Sequence, residues 1–458
     1  MKRIYYCIIT MAAAFVLAGC SYKMYERPDT VKAEELIPAL DTLRQDADTL
    51  LHWQHVFPNP HLQAIIRQGL QGNADLQMAS WRIEEAKAML TEARLSYLPS
   101  FALSPEGSIS KFGDNETSRT YSLPLTASWE IDLSGSKTAG KRRSAAAFRQ
   151  TLEERRTLQA DLIAMIANAY YTLVMLDRQL EICEQTQASW NETVRVLKEW
   201  KAVGRSTEAA VAQAEGDRMQ VLLSMADIRT QMETVRNSLR VLVGTPHADL
   251  EMGNRGEDAE VNLDWCSNIP FSKITERPDI KAAEMELEQA FYTTREAYAA
   301  FYPSLTLNGS AGWSNTNGTT ITNPAQFLLN AVGSLVQPLF NKGANRARLK
   351  VSKAQQEEAV IAFRQKLLEA GTEVNDRLAE WQNAERKTTY YDTQTEAYRK
   401  AFEDTQRLMQ HGSVTTYLEV LSAQQTLFTA QLNQTANECQ RQQSGINLYK
   451  ALGGGSDY

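Results

Sequence analysis

From Leu162 the apolar positions recur in steps of four and three: Leu162, Ile166, Ala169, Leu173, Leu176, Leu180, Cys183, Gln187, Trp190, Val194, Leu197 and Lys201, of which only Gln187 and Lys201 are polar. A seven-residue apolar repeat held this long draws one narrow stripe along a helix, the seam of a coiled coil. No Pro or Gly interrupts between Arg142 and Val203. The spacing therefore predicts a helix from about Lys141 to Val203, roughly 95 Å long at ~1.5 Å per residue, where a globular-domain helix runs about 8–20 residues. Gly204 breaks it. Val221, Met225, Ile228, Met232, Val235, Leu239 and Leu242 then form a second seam in the same steps. Residues 141–243 read as a long antiparallel hairpin with its tip at Gly204.

Ahead of this hairpin the period is two. After a leading helix over Asn59–Leu98, with Gly69 and Gly72 marking a bend, Phe101, Leu103, Pro105, Gly107 and Ile109 alternate with small polar residues. Past a polar loop, Tyr121, Leu123, Leu125, Ala127, Trp129 and Ile131 do the same. Apolar on one face and small polar on the other, over ~10 residues each, is the signature of a membrane β-strand pair. Trp129, Trp313 and Tyr121 are candidates for its interfacial girdle.

The whole order then recurs. A helix opens at Arg277-Pro278-Asp279-Ile280, and strands follow over about 304–340, the second with a less clean alternation. A long helix runs from Ala344 to Gln410, with a break at His411-Gly412. The return seam reads Leu421, Gln425, Phe428, Leu432, Thr435, Cys439, Gln442, Ile446 and Tyr449. Asp75 to Asp279 and Pro99 to Pro303 are both 204 residues; Gly204 to Gly412 is 208 and Gly244 to Gly453 is 209. The chain is a tandem duplication of helix, strand, strand, long helix and return helix. Its parts are a signal peptide (1–19), a lead segment (20–58), a first repeat (59–244), a connector (245–276), a second repeat (277–453) and a tail (454–458).

Four strands cannot close a barrel, since the smallest outer-membrane barrels need eight, and an open edge in lipid costs several kcal/mol per unsatisfied backbone group. The strands must be completed by further copies, eight strands for two copies or twelve for three. The long seams would close side by side into a tube of helices continuous with that barrel.

Composition adds a compartment. Lys2-Arg3, an apolar run from Ile4 to Ala18 and Leu17-Ala18-Gly19-Cys20 describe a secretory signal and resemble a lipoprotein signal, with Cys20 acylated as the first mature residue and Ser21 after it fitting outer-membrane sorting. Losing Lys2 and Arg3 takes the formal charge from −7 to −9, and an acidic chain is a poor nucleic-acid binder. Cys183, Cys266 and Cys439 are widely spaced, and read as buried thiols rather than a disulfide or metal site. His52, His55 and His61 lie close in sequence but read as exposed or capping residues. Gly135-Ser136-Lys137-Thr138-Ala139-Gly140-Lys141-Arg142 nearly spells a P-loop, but the motif needs Ser or Thr after the Lys, where Arg142 stands. The chain carries no catalytic signature, so an enzyme and a cofactor are not expected.

The run Trp53…Phe57-Pro58-Asn59-Pro60…Asn73-Ala74-Asp75-Leu76…Arg82-Ile83…Ala86 resembles the leading segment of the TolC-like outer-membrane factors, and most of all their lipoprotein, OprM- and NodT-like branch. Trp129-Glu130-Ile131-Asp132-Leu133 and Gln337-Pro338-Leu339-Phe340 match the two strand-to-helix exits. Gly412…Tyr417-Leu418-Glu419-Val420-Leu421-Ser422-Ala423-Gln424 matches the second tip, and Leu448-Tyr449-Lys450-Ala451-Leu452-Gly453 the end. The resemblance covers essentially the whole mature chain. It implies a homotrimer: a twelve-strand β-barrel in the outer membrane, continuous with a long periplasmic α-helical barrel. It implies the exit duct of a tripartite efflux system, with a periplasmic adaptor at the helix tips and an inner-membrane transporter supplying the energy. Gly204 and Gly412 would be the turn residues, and Arg205, Ser206, Ser413 and Val414 exposed for adaptor contact. The periplasmic gate of the OprM-like members pairs a Leu with an Asp four residues on. Leu418 matches the Leu, and Ser422 stands where the Asp would be. The alternatives are a duct for type I protein secretion and a non-transporting envelope stalk, the latter leaving the duplicated strand pairs unexplained.

Overall fold

The computed structural model describes residues 24–27, 52–111, 113, 117–246, 261, 272–315, 327–410 and 416–455. In chain order the elements are α1 (Trp53–Val56), α2 (Pro60–Gly72), α3 (Ala74–Leu95), β1 (Ser100–Leu103), β2 (Glu106–Ser110), β3 (Ser118–Ile131), α4 (Ser136–Ala202), α5 (Glu208–Val243), α6 (Ser272–Glu276), α7 (Pro278–Ala299), β4 (Ser304–Asn315), β5 (Phe327–Val336), α8 (Ala344–Gln410) and α9 (Tyr417–Ala451). The order repeats, and α4 and α8 are both 67 residues long. They divide between two units: Met1–Val31, Arg82–Leu152 and Ala282–Gln365 in one, Lys32–Trp81, Glu153–Lys281 and Lys366–Tyr458 in the other.

The first unit holds the sheet. β3 and β4 pair antiparallel from Tyr121↔Asn315 to Ile131↔Leu305, so the second strand of one repeat lies beside the first strand of the other. β5 pairs on the far side of β4. β1 and β2 both pair with β3 in one continuous register, Leu103 opposite Leu125 and Glu106 opposite Ser122. Ser104 N still donates to Pro124 O (3.2 Å), so they form one strand interrupted at Pro105, which has no N–H to give. Pro124, opposite Gly312, sits where proline is normally absent from a sheet. A Cβ on Gly312 would come 2.3 Å from Leu123 O, so glycine lets the two backbones approach there. In the same unit α7 is tied to α4 and α8 by its carboxylates: Glu288 meets Arg149 (2.9 Å), and Glu296 meets both Arg143 (3.0 Å) and Arg348 (3.8 Å).

The second unit is built on the seams. Leu162, Ile166, Leu173, Leu176, Leu180, Cys183, Trp190, Val194 and Leu197 of α4 are buried against Val221, Met225, Ile228, Met232 and Leu239 of α5 and against Leu421, Phe428, Ile446 and Tyr449 of α9. The apolar stretch of α4, long enough by composition to cross a membrane, has more than half of its residues buried inside the protein. Trp53, Phe57, Leu62 and Ile66 complete this core. Cys183 and Cys439 are free and buried, and burial pushes each thiol up to about 11, for Cys183 with help from Glu184.

Several expectations are corrected. The leading helix is not one helix bent at Gly69 and Gly72; it is two, separated at Asn73. Gly69 lies within α2 and is a packing residue: its Cβ would come 2.4 Å from Ile166 Cδ1. The break is Asn73, whose Oδ1 accepts from Leu76 N (3.1 Å) to start α3, while its Nδ2 donates to Leu242 O (2.9 Å) at the end of α5. α4 begins at Ser136, not Lys141, and β5 ends at Val336, not Phe340. In α9 the buried seam position is Gln424 rather than the half-buried Gln425.

The duplicate of the Asn73 contact is charged. Arg277, just before α7, donates to Ala451 O at the end of α9 (2.6 Å) and pairs with Asp279 (3.0 Å) and Glu373 (2.8 Å). Burial alone raises the Asp279 carboxyl, but hydrogen bonding and charge from Arg277, with Lys366 behind it, outweigh this and hold it below the usual carboxylate range.

Candidate functional site

Two regions of the chain meet the requirements of a membrane duct: the faces of the sheet and the turns between long helices. In an antiparallel sheet directly opposed residues share a face. The registers therefore place Phe101, Leu103, Leu123, Leu125, Trp129, Leu305, Leu307, Trp313, Leu329 and Leu335 on one side. Ser100, Ser108, Thr120, Ser122, Thr126, Ser128, Thr306, Asn308, Ser310, Asn330 and Ser334 lie on the other. The polar side is laced by hydrogen bonds, Ser108 to Thr120 and Ser128 to Asn308, both 2.8 Å. The apolar side is bare: Leu103 is 62% exposed, Leu125 48% and Leu329 75%. A contiguous apolar surface of this kind marks a site of membrane or protein contact.

The aromatic residues bracket this surface. Trp129 and Phe101 lie at the helix end of the sheet, Tyr121 and Trp313 at the opposite end. Trp129 to Tyr121 is eight residues, about 26 Å of strand at ~3.3 Å per residue. At the ~40° tilt of an outer-membrane strand this is about 20 Å of height, which covers most of the ~25 Å apolar band between the aromatic girdles of such barrels. Trp129 keeps its polar handle satisfied, Nε1 donating to Tyr97 O (2.8 Å). The untidy alternation of β5 now has a position: Val332 stands on the polar face of an edge strand. Among the described residues β1/β2 and β5 form the two edges of the sheet, and neither has a further strand on its outer side.

At the first tip, Gly204 N donates to Lys201 O (3.0 Å) and Arg205 N to Trp200 O (2.8 Å), the paired bonds of a Schellman motif, with Gly204 at φ +75°. Thr207 Oγ1 accepts from Ala210 N (3.2 Å) to start α5. Lys198–Glu215 (2.7 Å) and Lys201–Glu208 pair across the turn. Arg205 is exposed. Ser206 is only half-buried-to-open, with a buried Oγ, so it presents little to a partner. Val203, unremarked in the sequence, is 70% exposed beside the turn; an apolar residue out of step with its seam was the available signal.

Gly412, Ser413 and Val414 lie outside the described residues, as does Cys20. Leu418 and Ser422 are both exposed, four residues apart on α9. Glu419 faces its own helix start, its Oε2 accepting from Thr416 N (3.3 Å). The P-loop look-alike is occupied from within: Asp132 accepts from Lys137 N (3.1 Å), Thr138 N (2.9 Å) and Thr138 Oγ1 (2.7 Å). A carboxylate already fills the helix N-terminus that a phosphate would need. Among the described residues no group of His, Cys, Asp and Glu is arranged to hold a metal ion.

The profile of the outer membrane efflux protein family matches residues 65–245 and 272–454, one block in each repeat. The chain belongs to that family. The efflux protein is 26% identical over 463 residues to the probable outer membrane lipoprotein SilC of Salmonella typhimurium, covering 98% of each chain. It is 29% identical over 472 residues to the antibiotic efflux pump outer membrane protein ArpC of Pseudomonas putida, covering 96% and 94%. It is 26% identical over 455 residues to the cation efflux system protein CusC of Escherichia coli K12, and a solved CusC structure superposes with a TM-score of 0.84 over 95% of this chain and all of that one. The efflux protein is thus an outer-membrane channel protein with the mostly helical fold of its family.

Proposed function

We propose that three copies of this chain form the exit duct of a tripartite efflux system. The observation that carries this is the sheet: one apolar face bounded by aromatics, one polar face, and two open edges. Four strand positions per chain make twelve in a trimer, and β5 of each copy would pair with β1/β2 of the next, leaving no edge in lipid. The polar faces line a wet lumen. Repeats at 59–244 and 277–453 supply alternate sectors of the wall, a division supported by the two family-matched blocks.

The duct conducts small solutes, the kind of cargo named for relatives in cation and antibiotic efflux. An adaptor meets it at the tips, around Gly204 and Arg205 with Val203, and around Gly412, Ser413 and Val414. Leu418 and Ser422, exposed on α9, narrow the closed periplasmic end. An N-terminal lipid on Cys20 anchors each copy. The test is the mass of the detergent-extracted oligomer together with its conductance in a planar bilayer. A conducting trimer is expected; a stable monomer or a non-conducting assembly would overturn the duct.

A further inference from the structure

Residues 24–27, just after the lead begins, are held on the second repeat. Arg27 forms a two-pronged pair with Glu284 of α7, Nε to Oε1 at 2.8 Å and Nη2 to Oε2. Its guanidinium lies 5.8 Å from the ring centre of Phe363 on α8. Tyr25 packs edge-on against Phe291 of α7, with ring centres 5.9 Å apart, and burial, aided by Glu284, pushes its phenol well above the usual range. All five residues belong to one unit.

The duplication supplies an internal control. At the offset of 204 between leading helices, Glu284 corresponds to Ser80 and Phe291 to Lys87. At the offset of 208 between the two long helices, Phe363 corresponds to Arg155. The first repeat thus offers a hydroxyl and two cations where the second offers a carboxylate and two aromatic rings. A planar guanidinium is recognised by a carboxylate fork and an aromatic face, and repelled by Lys and Arg. The carboxylate and rings that hold the arm are thus present at these positions of the second repeat and absent from the matching positions of the first.

We propose that Met24–Arg27 is an addressing arm that assigns the acylated N-terminus to the second repeat, and so fixes which strands the lipid anchor stands beside. Cys20 is four residues from Met24, at most ~14 Å of extended chain, so the docked arm confines the anchor to that neighbourhood. The assignment of the anchor rests on the lipoprotein reading of Cys20; the docking of the arm does not.

The experiment uses the full chain in outer membranes, with a benzophenone amino acid in place of the exposed Met24. Cross-links are expected in the peptides of α7 and α8 at least tenfold over those of α3. Arg27→Glu and Glu284→Arg should each abolish that preference, and the double exchange should restore it. Equal cross-linking to α3 and α7, or no rescue by the exchange, would overturn the addressing arm. Palmitate labelling is read in parallel. An unlabelled chain that still shows the preference refutes the lipid on Cys20 and leaves the arm's docking standing. Arg27→Glu should leave labelling unchanged, because acylation depends on the leader; loss of label in that variant would place the effect in maturation and count against docking.

Discussion

Gly204 and Gly244 share a left-handed backbone, φ +75° and +77°, and the same Schellman bonds, yet differ in surroundings. Among the described residues nothing lies within 4 Å of a Cβ added at Gly204, whereas one at Gly244 would come 2.1 Å from the Gly72 carbonyl oxygen. Gly204→Ala should therefore cost only the left-handed strain, about 1 kcal/mol. Gly244→Ala should cost about 3 kcal/mol or more, because backbone has to move away from backbone. Heat-unfolding midpoints of the extracted protein check the ranking, which the identical sequence signal of the two glycines does not carry. Cys20→Ala is expected to give a chain without palmitate label, and unchanged labelling would refute the lipid. Asp132 and Glu419 are likewise spent on helix starts, Asp132 accepting from the first turn of α4 and Glu419 from Thr416 N ahead of α9.

At the scale of elements, the ends of the return helices are clasped twice, by neutral Asn73 on α5 and by charged Arg277 on α9. Only the second carries a pH dependence. The folded Asp279 carboxyl lies below its unfolded value of ~3.9. Its contribution to stability is therefore complete above about pH 4 and is lost as the pH falls through the lower folded value. Asp279→Asn should be less stable at pH 7, by on the order of 2–3 kcal/mol for a mostly buried pair, and the gap to wild type should narrow in acid, as the pH falls through the folded value. Chemical denaturation at both pH values measures it, and a gap independent of pH would exclude the ion pair as its cause. In the sheet, Gly312→Val would drive a side chain into Leu123 O and Pro124 Cα. Loss of the heat-resistant oligomer on gels is the expected result, with the helical circular dichroism retained.

For the whole molecule, the duplication sets the arithmetic. In the proposed duct, a chain with four strand positions and two open edges among its described residues closes its wall with its own copies, which is why the oligomer mass carries the functional reading. Gly412→Trp is expected to reduce efflux by tenfold or more while leaving the trimer intact. Normal drug or metal resistance in that variant, measured in cells lacking other ducts, would count against docking at the tips.

The sequence by itself determined the long helices, the strand pairs and the duplication, because periods of seven and two are local and sustained, and its ordered motifs carried the resemblance to the family. It also placed the turn at Gly204, since a glycine ends a seam there. The tertiary structure alone decided what depends on residues far apart in the chain. The β3–β4 register joins Tyr121 to Asn315 and Ile131 to Leu305, and it is this register that puts the leucines and tryptophans of β3 and β4 on one face, with Val332 left on the other. Gly69 turned from a bend into a packing contact because Ile166 lies against it. The arm at Tyr25 and Arg27 has no periodicity to betray it, and its site exists only where α7 and α8 bring Glu284, Phe291 and Phe363 together. Local pattern specifies which elements form; the partners of single side chains follow from packing, which no window along the chain contains.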